Sequence, residues 1–210
     1  MMFYVLYNKT IVWHGQEIQA RLDTPIRTQE ERAWWNAWDG DNPLTDCPPL
    51  TFSVLPDAPP PDNYITSTGI DLFSERLAGI VSRFDIRAEW LPVQLRDQGS
   101  GNRLALSFYA FRLLETMAGI DYQKSIIERK AVVEIEKLAL TEECQQADRP
   151  MFYLEGFRSF KVINAAVCAA LKQAKLTGFR YIPLDQFRAG MKYYAELAQG
   201  LVQLPDEAAE

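Results

Sequence analysis

Apolar positions along the chain fall twice into the same succession, a helical stripe followed by a short strand. Over Leu72–Phe84 the residues Leu72, Phe73, Leu77, Ile80, Val81 and Phe84 recur at helical spacing, with Thr68 or Asp71 as the cap. The strand Ile86-Arg87-Ala88-Glu89-Trp90-Leu91-Pro92-Val93 comes next. Near the C-terminus Asn164 is a sound N-cap for a helix over Ala165–Leu176, and Gly178 is a sound stop for it. Phe179-Arg180-Tyr181-Ile182-Pro183-Leu184 then repeats the strand, and both strands finish aromatic–aliphatic–proline–aliphatic. Proline donates nothing to a ladder, so each strand is expected to end, bulge or lie at an edge at Pro92 and Pro183. The pattern is compatible with two related helix–strand halves.

Elsewhere the pattern is richer in strands. Phe3–Asn8 and Ile11–Trp13 read as short strands around Asn8-Lys9-Thr10, and Leu104–Phe111 as a buried one. Val132–Leu140, Met151–Leu154 and Phe157–Ile163 are further strands. Thr28-Gln29-Glu30-Glu31 is a capping box that opens a helix bearing Trp34, Trp35 and Trp38 and ending near Gly40. Asp41–Pro61 holds seven prolines, which exclude a helix and leave only Leu50–Leu55 as a strand, so this is the expected loose connector. Gly99 and Gly101 place a turn at Asp97–Asn102. Asp185 caps a last helix with Phe187, Met191, Tyr194, Leu197 and Leu201 along one stripe, and the tail Pro205–Glu210 is expected to fray. Several strands follow one another with no helix between them. That favours an α+β fold with a mixed or mainly antiparallel sheet and packed helices over a doubly wound one. Residues 1–204 read as a single domain, compatible with two lobes at about 1–100 and 101–204.

Composition narrows the class more than the function. Hydrophobic residues at 48% and charged residues at 24% are ordinary for a globular chain of 210 residues. No apolar run approaches the ~20 residues of a membrane span. The start, Met1-Met2-Phe3-Tyr4-Val5-Leu6, has no basic region or small-residue cleavage site and reads as an opening strand, so the cytoplasm is the expected location. The balance of 22 basic against 28 acidic side chains, net −6, disfavours a phosphate backbone as partner and favours a basic protein.

Candidate chemistry is sparse. His14 is the only histidine and precedes Gly15 after a strand, the composition of a hairpin turn, with no orienting carboxylate at a recognisable spacing. Cys168 lies among Ala165, Val167, Ala169, Ala170 and Leu171 and reads as a core residue. Cys47 precedes a proline in a loop and Cys144 sits in a polar stretch; both read as inert. With three widely spaced cysteines and no CxxC, neither a disulfide framework nor a zinc site is indicated, and no cofactor is expected. Glu142/Glu143, Asp39/Asp41 and Glu128/Glu134/Glu136 are dense in acid but match no metal motif, so solvated surface is the plainer reading. Asp97–Arg103 lacks the Gly-Lys-Ser/Thr ending of a phosphate loop and reads as a turn. Trp34, Trp35 and Trp38 cannot all face the core equally, so either the helix is wedged between two layers or one indole is exposed as an interface anchor, with core packing the plainer reading.

One resemblance goes further. Its residues are Arg149-Pro150-Met151-Phe152-Tyr153-Leu154, Phe160-Lys161-Val162-Ile163-Asn164, a helix, and Leu176-Thr177-Gly178-Phe179-Arg180-Tyr181-Ile182-Pro183-Leu184. Asp71-Leu72-Phe73-Ser74-Glu75-Arg76-Leu77, Trp90-Leu91-Pro92-Val93 and Gly119-Ile120-Asp121-Tyr122-Gln123-Lys124-Ser125 extend it over roughly Thr51–Leu184. This resembles an immunity-protein family of bacterial polymorphic-toxin systems. The resemblance implies a non-enzymatic cytoplasmic protein, encoded beside a secreted toxin, that binds the toxin domain and blocks it. No catalytic motif carries over. Asp39, Asp41, Trp38, Glu142 and Glu143 are the candidate toxin contacts, on charge and exposure alone. The competing readings are a small hydrolase or transferase working through acidic residues, and an adaptor for some other protein. Converging buried carboxylates in a deep pocket would favour the enzyme.

Overall fold

A computed structural model describes residues 2–24, 35–38, 40, 44, 47–66, 68–129 and 133–201. The capping box Thr28–Glu31, Trp34, Asp39, Asp41 and the tail Pro205–Glu210 lie outside the described residues. In chain order, β1 (Phe3–Asn8) is followed by the small hairpin of β2 (Val12–Trp13) and β3 (Gln16–Glu17), and by β4 (Gln19–Leu22). Helix α1 is described over residues 35–38. Next come β5 (Leu50–Val54), β6 (Asn63–Thr66), β7 (Asp71–Ser74), α2 (Glu75–Val81), β8 (Ala88–Asp97) and β9 (Phe108–Leu113). The second half holds β10 (Thr116–Met117), β11 (Ile126–Arg129), β12 (Val133–Lys137), α3 (Glu142–Gln146), β13 (Met151–Leu154) and β14 (Phe157–Asn164). It closes with α4 (Ala165–Gln173), β15 (Phe179–Pro183), a 3-10 turn at Leu184–Gln186 and α5 (Met191–Ala198). Among the described residues, no helix is long and apolar enough to cross a membrane.

The chain divides into two compact units. One comprises Asn8–Glu115 and Ala170–Phe179. Its centre is a closed barrel in the order β4-β5-β8-β9-β7-β6. Two ladders, β4/β6 and β5/β8, are parallel and the other four antiparallel, so the sheet is mixed as expected, while its closure has no signal in the sequence. The interior is filled by Leu50, Phe52, Tyr64, Leu72, Leu95 and Phe108, among others. On another face Phe73 stacks on Phe111 at 4.5 Å and meets Phe179 edge-on at 5.6 Å.

The other unit comprises Met1–Tyr7, Thr116–Ala169 and Arg180–Glu210. Its sheet has the order β10-β13-β14-β1-β15, and the β11–β12 ribbon stands beside it as a two-stranded sheet. Phe3, Val5, Phe152, Phe160, Val162 and Phe187 belong to its core.

Several expectations are corrected. Leu72 and Phe73 are not helical: both are fully buried in β7, paired to β6 on one side and β9 on the other. The helix starts only at Glu75, and its cap is Ser74, whose hydroxyl accepts the Leu77 N–H, not Thr68 or Asp71. The strand expected over Leu104–Phe111 begins at Phe108. The expected last helix begins only at Met191, with Gly190 and not Asp185 at its N-cap, so Asp185 falls in the 3-10 turn and Phe187 is buried outside the helix. Tyr193 is its buried residue, whereas Met191, Tyr194 and Leu201 are exposed, so the stripe read from the sequence is the outer one. Helix α4 ends at Gln173, ahead of the stop assigned to Gly178, with Lys175 in the left-handed region (φ 51°).

Other expectations match. Asn164 caps α4 by accepting the Val167 N–H at 3.0 Å. β15 ends at Pro183. At Pro92 the expectation of an end or bulge fails: β8 runs on to Asp97, and the proline is accommodated because pairing with β5 starts only at Val93, leaving β9 as its one neighbour there. Asp97 closes its turn by accepting the N–H groups of Gly99 and Ser100.

Candidate functional site

The tryptophan segment is fixed by a buried arginine. Arg112, on β9, is 2% exposed and sits in the apolar run Phe108–Leu114. Its Nη1 pairs with Glu89 on β8 at 2.6 Å. Its Nε donates to the Trp38 carbonyl at 2.6 Å, and its Nη2 to the carbonyls of Ala37 and Gly40 at 2.8 and 2.6 Å. One planar guanidinium thus gathers three carbonyls around the end of this helix, where backbone acceptors outnumber intrahelical donors. Glu89 in turn accepts the Leu44 N–H at 2.9 Å. Trp35 and Trp38 are partly buried against the barrel core. Sequence reasoning missed this clamp. Its one signal was an arginine inside a run that is otherwise apolar.

The Leu-Thr-Gly turn is also a docking element. Within the barrel unit, Asp62 accepts the Thr177 N–H at 2.9 Å, the Thr177 hydroxyl at 3.3 Å and the Ser74 hydroxyl at 2.9 Å. Gly178 lies against Asn63 so closely that a Cβ would collide with the Asn63 carbonyl oxygen. Asn63 Nδ2 donates to Asn8 at 3.1 Å, and Asn8 Nδ2 to Asp71 at 3.2 Å. The motif read as a helix stop is therefore the place where this turn locks onto β6.

In the other unit a cavity of about 550 Å³ opens over Phe3, Leu138, Leu140 and Leu184. Among the described residues of its lining, Lys124, Lys137, Gln145 and Asp185 supply the polar side chains, with no hydroxyl, thiol or imidazole. Lys124 pairs with Asp121 at 3.0 Å. That contact holds the Asp121 carboxyl below its ordinary range and the ammonium above its own, with a smaller push on Lys124 from Glu142. Helix α3 stands at this cavity through Gln145. Thr141 caps α3 by accepting the Cys144 N–H at 3.3 Å, and Glu142 and Glu143 occupy its first turn, where a helix favours carboxylates.

Of the candidate contacts, Glu142 and Glu143 are exposed on α3 and Trp38 is partly buried in the barrel unit. Asp39 and Asp41 fall outside the described residues. His14 occupies the exposed turn of the β2–β3 hairpin, at φ 47° beside Gly15 at 78°. Cys168 is buried in α4, as expected. Cys144, which stands in a polar stretch of the sequence, is buried on α3; burial, then Glu143, pushes its thiol up to about 11. Burial, then Glu89, also raises the Cys47 thiol. Among the described residues no group of three or more histidine, cysteine, aspartate or glutamate side chains could hold a metal ion.

Compared with known proteins, residues 8–186 match the model of an immunity protein family, Imm11. No curated protein matches the chain.

Proposed function

Since the chain belongs to the Imm11 immunity protein family, we propose that it binds a cognate secreted toxin domain and occludes it, protecting the cell that makes both. The observation that carries this reading is the family match across residues 8–186. Protection comes from stoichiometric binding and not from catalysis, so one molecule of this protein silences one toxin. The toxin is encoded by the adjacent gene, and the two meet in the cytoplasm of the producing cell.

Trp38, Glu142 and Glu143 are the contact residues in this reading, together with Asp39 and Asp41. The partly buried Trp38 on a clamped segment supports it, because a rigid aromatic loses little entropy on binding. The exposed acids of α3 and the net charge of −6 support a basic partner. Co-expression with the neighbouring open reading frame, followed by pull-down and a growth assay, tests the proposal. A one-to-one complex and restored growth are expected; no complex and no rescue would defeat it.

A further inference from the structure

Beside α2, in the barrel unit, lies a groove of about 320 Å³ lined by Glu75, Ala78, Gly79, Ser82, Trp90 and Tyr109. One wall is aromatic. Trp90 and Tyr109 meet edge to face with centroids 6.4 Å apart, and Trp90 is braced by Phe111 and Phe73 at 4.7 and 6.0 Å. Both lining rings remain partly exposed. The helix contributes only small side chains besides Glu75. Glu75 is the single charged residue of the lining; it is exposed and has no ion pair among the described residues.

Gly79 is an independent observation. It lies inside α2, its φ is not in the left-handed region, and a Cβ built on it meets nothing within 4 Å. Neither backbone conformation nor close packing calls for glycine there. Glycine inside a helix nevertheless lowers stability relative to alanine. The missing side chain keeps the groove clear.

The face of an aromatic ring attracts a cation, and a guanidinium stacks on such a face better than an ammonium does. A carboxylate on the same lining completes the recognition of an arginine. We propose that this groove receives an arginine side chain from the partner protein; identifying that partner as the toxin rests on the preceding reading. The protein's net charge of −6 draws a basic surface toward it.

Two measurements test it. In the first, the full chain is titrated with N-acetyl-arginine amide and with its neutral isostere N-acetyl-citrulline amide, following the Trp90 indole N–H by NMR. The arginine compound is expected to shift that signal about fivefold more than the citrulline compound, in keeping with a cation–π contact. The shift should fall by about threefold in Glu75→Gln and vanish in Gly79→Leu, which melts no lower than the wild type because leucine is the better helix former. Equal shifts from the two compounds, or an undiminished shift in Gly79→Leu, overturn the proposal.

In the second, capture of the co-expressed toxin is compared between wild type and Gly79→Leu. Affinity roughly tenfold lower in the variant supports the groove as an anchor site; equal capture overturns it and leaves the immunity reading standing. If the wild type captures no toxin while the arginine-specific shift persists, the immunity reading fails and the arginine site is upheld.

Discussion

Gly178 holds a φ of 91°, and the Asn63 backbone occupies the space where a side chain would begin. Gly69 has a φ of 78° but open space around it. Gly178→Ala is therefore expected to cost about 2 kcal/mol or more, combining strain with collision, and Gly69→Ala only about 1 kcal/mol from strain. Urea denaturation of the two variants measures the difference, and equal losses would remove close approach as the reason for Gly178. A second residue-scale effect concerns Cys144. Its thiol is raised from 9.0 to about 11, so its contribution to stability is complete below about pH 9 and is lost as the pH rises through 11. Alkylation of Cys144 by iodoacetamide at pH 9 should be much slower in the native protein than in urea; equal rates would contradict the burial. Both residues were visible in the sequence, yet only as a helix stop and a cysteine among polar neighbours. What decides their roles is Asn63 in one case and the packing of α3 in the other, and neither follows from spacing along the chain. Asn164 was legible because a cap reaches only to the amide three residues on.

The clamp on the tryptophan segment belongs to the scale of elements. Arg112→Met keeps the apolar stem but strips the donors from Glu89 and from three carbonyls. A loss of about 3–5 kcal/mol is expected, with a red shift in tryptophan emission as Trp35 and Trp38 become wetter. The double variant Arg112→Met/Glu89→Leu should recover part of it, since no buried charge is then left alone. A loss below about 1 kcal/mol would show that the clamp is dispensable. Elements whose signals are local were legible, such as β13, β14, α4 and the turn after β8. Misread elements are those where neighbours override local pattern. Leu72 and Phe73 fit a helical stripe, but strands on both sides claim them. The apolar stripe through Met191, Tyr194 and Leu201 lies on the outside, while Tyr193 is the buried residue of α5.

At the scale of the whole molecule, net charge acts through a field that needs no particular contact. Association with a basic toxin should slow by about tenfold between low and high salt. Stopped-flow or surface-plasmon measurement of the on-rate checks this, and a rate indifferent to salt would remove the electrostatic argument while leaving the complex itself intact. The mixed α+β class was legible from the alternation of short strands with few helices. The order of the barrel was not, because β5 pairs in parallel with β8 and β4 with β6, partners separated by long stretches of chain.

By itself, then, the sequence determined the class of fold, the Asn164 cap, the turns at His14–Gly15 and Asp97–Asn102, the acidic field and the family resemblance carried by its Leu-Thr-Gly turn. All of these depend on residues within a few positions of one another or on sums over the chain. Tertiary structure alone decided that Arg112 seizes the end of α1, that Thr177 is held by Asp62, and that Gly79 leaves a groove before Trp90 and Tyr109. Those roles come from partners distant in sequence, and chain order does not encode which side chains meet when a barrel closes.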